Sequence, residues 1–176
     1  MAIKNLQLKG FACRLENYTL IKLSAQEGLV MSELSERIGT AAGNAFKSGF
    51  NCGEAILQAF RTEGGLKIDD NTMRMVTAFG GGMGHARAVC GALVGSVMVI
   101  SYFVGRTSPQ EKPLQEVYPY SKEYHDLFVK EFGSSECKDL MPYEFNTREH
   151  LINCLKLVNR MGKFLAEYLE SKGFLK

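Results

Sequence analysis

No run of lysine or arginine gathers charge anywhere in this 176-residue chain, whose formal net charge is only +2. A balance so mild lacks the electrostatic footprint of a nucleic-acid binder, and no nucleic-acid partner is expected. The opening residues, Met1-Ala2-Ile3-Lys4-Asn5-Leu6-Gln7-Leu8-Lys9, hold no continuous apolar stretch of signal-peptide length, so a cytoplasmic setting is expected. There is no Cys-x-x-Cys pair, which removes the thioredoxin motif, the zinc ribbon and covalent haem attachment. No Gly-Lys-Ser/Thr follows the glycine-rich stretch and no βαβ pattern surrounds it, so neither a P-loop nor a dinucleotide fingerprint applies. The Gly-x-Ser-x-Gly elbow and the His-Glu-x-x-His helix are missing as well, which argues against the common hydrolase classes. Internal repeats and low-complexity segments are also lacking.

What is present suits one ordinary globular domain. The chain is 45% hydrophobic and 23% charged, enough apolar material for a core that needs no disulfide. The longest uncharged stretch, Ala88 to Gly105, would span about 27 Å as a helix, at the short edge for a bilayer. It also carries Gly91, Gly95, Ser96 and Ser101, so it reads as a buried core helix and no membrane insertion is expected.

Apolar spacing after Met31 predicts an all-α fold: a compact bundle of about five to six helices around that central apolar helix. Residues 1–30 read as a separate N-terminal extension, a weak hairpin over Leu15–Leu23 or a flexible segment, beside a helical domain over 31–176. The first predicted helix runs from a Ser32 cap to about Lys47, and the second starts at an Asn51 cap with Glu54 completing a capping box. A short helix over about Asp70–Phe79 leads into the loop Gly80-Gly81-Gly82-Met83-Gly84, and the apolar helix follows from about Arg87 to Val104. Beyond a linker, further helices are predicted over about Tyr118–Phe132 and from Thr147 to Ser171. The last one should turn Leu151, Leu155, Val158, Met161, Leu165 and Leu169 inward.

Five cysteines remain to be placed, and cytosolic cysteines are more often redox thiols or metal ligands than bridges. Cys52 falls in the first turn of its helix, where free N–H groups and the positive dipole end favour a thiolate. Cys90 lies early in the apolar helix, Cys137 follows a Gly-Ser-Ser turn, and Cys154 sits on the inward side of the last helix. Gly81, Gly82 and Gly84 could form a nest of backbone N–H groups for a ligand, while Gly91 and Gly95 leave a bare helix side for a neighbour or cofactor. Taken alone, Cys52 is equally well explained by packing, and Cys137 and Cys154 are better explained by it. Of the three histidines, His85 adjoins the glycine loop and reads as a surface or satisfied residue, and His125 and His150 read as solvated. Tyr118, Tyr120 and Tyr124 read as core packing with polar tips.

The segment Cys90-Gly91-Ala92-Leu93-Val94-Gly95 resembles the CGAxxG element of the C_GCAxxG_C_C family of redox-active proteins. Asn51-Cys52 upstream, the glycine loop directly before it, and Cys137 and Cys154 after it stand in the family's order. The resemblance implies a helical protein whose four working cysteines are Cys52, Cys90, Cys137 and Cys154, as redox thiols or metal ligands; Cys13 lies outside it. A related helical domain in split-Soret cytochromes is associated with an iron–sulfur centre, which implies a cluster, [2Fe–2S] for preference, and electron transfer to an electron-transfer or thiol partner. Cycling between dithiol and disulfide, or a structural zinc site, are the alternatives.

Overall fold

The computed structural model of this chain describes residues 32–176. The extension with its hairpin reading, and Cys13, lie outside these residues. Their secondary structure is helical throughout, and no strand occurs among the described residues. Helix α1 spans Glu33–Lys47, with Ser32 accepting from the Ser35 N–H and Glu33, Glu36 and Lys47 placed to suit the helix dipole. Helix α2, Cys52–Thr62, starts with a full capping box: Asn51 Oδ1 accepts from the Gly53 and Glu54 N–H groups, and Glu54 accepts from the Asn51 N–H. Helix α3, Asp70–Thr77, is capped by Asp69. The turn α4, Gly80–Met83, precedes helix α5, Gly91–Val104. After a 3₁₀ turn at Leu114–Glu116 come α6, Tyr118–Phe132, the turn α7, Cys137–Leu140, and the long α8, Arg148–Ser171, capped by Thr147.

The predicted start of the apolar helix at Arg87 is wrong by four residues. Arg87 takes a left-handed conformation (φ 60°), and Val89 pairs with Glu136 in an isolated antiparallel bridge. The Cys90 N–H donates to Ser135 O at 2.8 Å and the Cys137 N–H to Ala88 O at 2.7 Å. Three apolar residues before a helix look the same in sequence whether they extend it or run alongside a distant segment. Cys90 therefore caps α5 instead of lying inside it.

Helix α5 packs against α2, α3, α4, α6 and α8, with Ala92, Leu93, Val99 and Ile100 buried. On its far side α2 rests on α1, which runs along α8. Small residues set these distances. A Cβ on Gly95 would meet the Gly53 carbonyl oxygen at 2.7 Å, and one on Gly162 would lie 3.1 Å from Ala42 Cβ. Phe60, Tyr124, Phe128, Met161, Leu165 and Leu169 are fully buried in the shared core. Three expected core positions are not in it: Leu155 is only half-buried, and two are exposed, Leu151 by 46% and Tyr118 by 61%. Both exposed residues lie in the first turns of their helices, ahead of the part that packs on the core. No helix among the described residues is long and apolar enough to cross a membrane.

Candidate functional site

The glycine loop is a short left-handed turn. Gly81, Gly82, Met83, Gly84 and His85 all have φ between 61° and 70°. The Arg87 and Ala88 N–H groups close it by donating to Gly81 O and Gly82 O, each at 3.2 Å. Glycine takes this conformation freely, whereas Met83, His85 and Arg87 cost about 1–2 kcal/mol each there. Such strain persists only where the surroundings over-determine it, and Arg87 shows how. Its guanidinium donates to Met141 O and Tyr143 O and lies 4.5 Å from the centre of the Phe145 ring. The loop before Cys90 is thus tied to the chain that follows Cys137.

These ties bring four cysteines to one cavity of about 430 Å³: Cys52, first residue of α2; Cys90, cap of α5; Cys137, first residue of α7; and Cys154 on α8. All four are free thiols. Cys52, Cys90 and Cys137 are buried and Cys154 is half-buried. Each charge would be felt by the others, since Cys154 is influenced by all three and Cys137 by Cys52. Among the described residues no three His, Cys, Asp or Glu side chains gather tightly enough around one point to hold a single metal ion. The thiols surround a space instead of a point.

Burial pushes all four thiols up from their ordinary range, Cys90 to about 12. The reading of Cys52 as a thiolate is therefore corrected. Its desolvation outweighs the backbone N–H groups of Gly81, Gly53 and Ala92, which pull the other way. Cys137 is raised by burial and by Cys52, and Arg87 opposes that rise. Among the described residues no Lys or Arg lines the cavity to compensate for four thiolates at once.

The glycines divide by role. Gly81 and Gly84 line the cavity. Gly82 and Gly91 lie behind its wall: a Cβ on Gly82 would meet Cys137 Cβ at 2.6 Å, and one on Gly91 would meet Phe79 O at 2.5 Å and Cys52 Sγ at 2.7 Å. Gly95 serves the α2–α5 contact alone.

Two residues beside the thiols escaped the sequence reading. His150 is only 9% exposed, not solvated, and its burial, with Arg87 and His85 nearby, pushes its pKa down. It stands one helical turn before Cys154 on α8, so the two share a face, and that i, i+4 spacing is the signal that was available. Phe145 stacks on the His85 ring with centroids 4.2 Å apart and meets the His150 ring edge-on at 5.1 Å. No periodicity in an irregular connection announces such a residue. His85 is exposed and lines the cavity, while His125 is exposed beside Asp126.

A helical scaffold that turns four separated cysteines onto one apolar cavity defines a cysteine-centred helical protein. The family model described as "Putative redox-active protein (C_GCAxxG_C_C)" matches residues 50–168, well over half of the chain, and the chain belongs to that family. An uncharacterized protein of Archaeoglobus fulgidus is 27% identical over 118 residues, which cover 62% of this chain and 78% of that protein. No solved structure matches the chain significantly.

Proposed function

We propose that Cys52, Cys90, Cys137 and Cys154 hold an iron–sulfur cluster and that this member of a redox-active family works as a one-electron carrier. The observation that carries the reading is the four thiols, from four separate elements, facing one cavity, with backbone N–H groups close to two of them, Cys52 and Cys90. A single zinc ion calls for ligands about 2.3 Å from one centre, a tighter gathering than the described side chains make, and a cluster spreads its ligands wider. The donor set fits: four thiols, N–H donors from Gly81, Gly53 and Ala92 at Cys52 and from Leu93 and Ala92 at Cys90, and glycines where a Cβ would collide. A bound cluster supplies reversible one-electron chemistry, and its positive iron stabilises thiolates that burial otherwise disfavours. The chain's part is to fix the four sulfurs, exclude water from them and offer N–H dipoles, which together set the potential. Dithiol–disulfide cycling is the second reading, supported by the same four free thiols. Raised thiol pKa values weaken it, because exchange starts from a thiolate.

The test is anaerobic purification or reconstitution with iron and sulfide, followed by visible absorbance and quantitation of iron, sulfide and zinc. Coloured protein with iron and acid-labile sulfide is expected, and each of C52S, C90S, C137S and C154S should weaken iron retention by about 10-fold or more. Colourless protein with stoichiometric zinc, or wild-type protein that retains no iron, would overturn the cluster.

A further inference from the structure

Besides the four thiols, the cavity is lined by Phe50, His85, Phe145, Asn146, His150 and Leu151. Its volume of about 430 Å³ lies within the range of about 300–1,000 Å³ usual for small-molecule sites. Three features of that lining narrow what could occupy it.

The first is a spare donor. His150 Nδ1 accepts from the Asn146 N–H at 3.4 Å, so in the neutral ring the proton sits on Nε2. Among the described residues Nε2 has no partner, and it is not sealed from the cavity that the ring lines. Such a donor is open to an acceptor on a ligand, and a hydrogen bond made there in place of one to water is worth about 0.5–1.5 kcal/mol. The second is charge. Among the described residues no Asp, Glu, Lys or Arg lines the cavity, and the nearby Arg87 is already committed to two carbonyls and the Phe145 ring. A charged ligand would be buried without a counter-ion, at a cost of several kcal/mol. The third is shape, since Phe46, Phe50 and Phe145 present aromatic walls that suit a flat apolar body.

We propose that the part of the cavity lined by His150 and Phe145 binds a small, uncharged, flat and largely apolar molecule with one carbonyl-type acceptor, held by His150 Nε2–H beside the four thiols. The inference deepens the redox reading by giving the same site a small-molecule ligand, and it rests on that reading only for what the ligand is near.

Acetophenone is the probe, titrated into the full chain by calorimetry and ligand-observed NMR, with benzoate and benzylamine as charged counterparts. Both the reduced iron-free protein and the iron-reconstituted protein are titrated. Absence of a cluster then shows in iron content, and absence of the ligand site shows in the titration. Saturable binding of acetophenone is expected, at least about 10-fold tighter than either charged compound. His150→Phe keeps the ring shape but removes the donor and should weaken binding about 5-fold. His150→Gln, which retains an N–H, should restore most of it, and Leu151→Trp should block the cavity mouth without disturbing the core. Thermal unfolding confirms that each variant is folded. The proposal is wrong if acetophenone shows no saturable binding, if benzoate binds equally well, or if folded His150→Phe and Leu151→Trp variants bind like the parent.

Discussion

Cys52 carries two opposing influences in one side chain, and magnitude decides between them. The helix start and three neighbouring N–H groups favour its thiolate, and removal of water from a 7% exposed residue disfavours it more. Helix position is legible in a string of letters, but depth is not. The same holds for His150, whose charged sequence neighbours point outward while its ring turns toward the cavity. The thiols make a pH prediction whose sign follows from protonation. A thiol whose folded pKa is raised binds its proton more tightly in the native state, so its contribution is intact below its unfolded value and fades as pH rises toward its folded value. For Cys90 that window runs from about 9.0 to about 12. Reduced, metal-free protein should therefore lose stability steadily above pH 9 in urea titrations, by up to about 1.4 kcal/mol per pH unit for each buried thiol. Cys90→Ala should flatten that slope by one proton's share, and a wild-type profile level to pH 11 would refute the thiols' burial.

Short elements here act as clamps, and Asn51 is the clearest of them. It caps α2, which places Cys52, and its Nδ2 donates to Thr77 O at 2.8 Å, which holds the end of α3 against the glycine loop. Replacing it with alanine should cost about 1–2 kcal/mol, from the cap and from the lost tie, and lower the melting temperature by about 2–8 °C. Asn51→Asp keeps the cap acceptor and loses only the donor, so it should fall between the two. An unchanged melting temperature for Asn51→Ala would remove the clamp from the account. The capping signal was visible in Asn51-Cys52-Gly53-Glu54, because caps depend on residues three or four apart. The left-handed turn was only half visible. Three glycines permit it, yet Met83, His85 and Arg87 adopt the same sign of φ against their own preference, with His85 and Arg87 held by contacts more than fifty residues away in sequence.

At the scale of the molecule, α1 to α8 bury a continuous core, with α1 and α8 pairing the two ends of the described chain. Residues 31–176 should therefore unfold cooperatively after removal of residues 1–30, with a single thermal transition in calorimetry; a broad, non-cooperative melt would show that the core needs the extension. The all-α class, the helices α1, α2, α6 and α8, the caps of α1, α2 and α8, and the apolar helix's falling short of a membrane span were determined by the sequence alone, since each rests on local periodicity and on chemistry within a few residues. The order of the cysteine motifs also sufficed for the family. Only the tertiary structure decided that α5 begins at Gly91, that the four thiols face one cavity, that they are too buried to ionise readily, and that His150 and Phe145 stand beside them. The physical reason is distance along the chain: the Arg87–Met141 and Cys137–Ala88 hydrogen bonds that close the site join residues 54 and 49 positions apart, and desolvation exists only once such pairs have met.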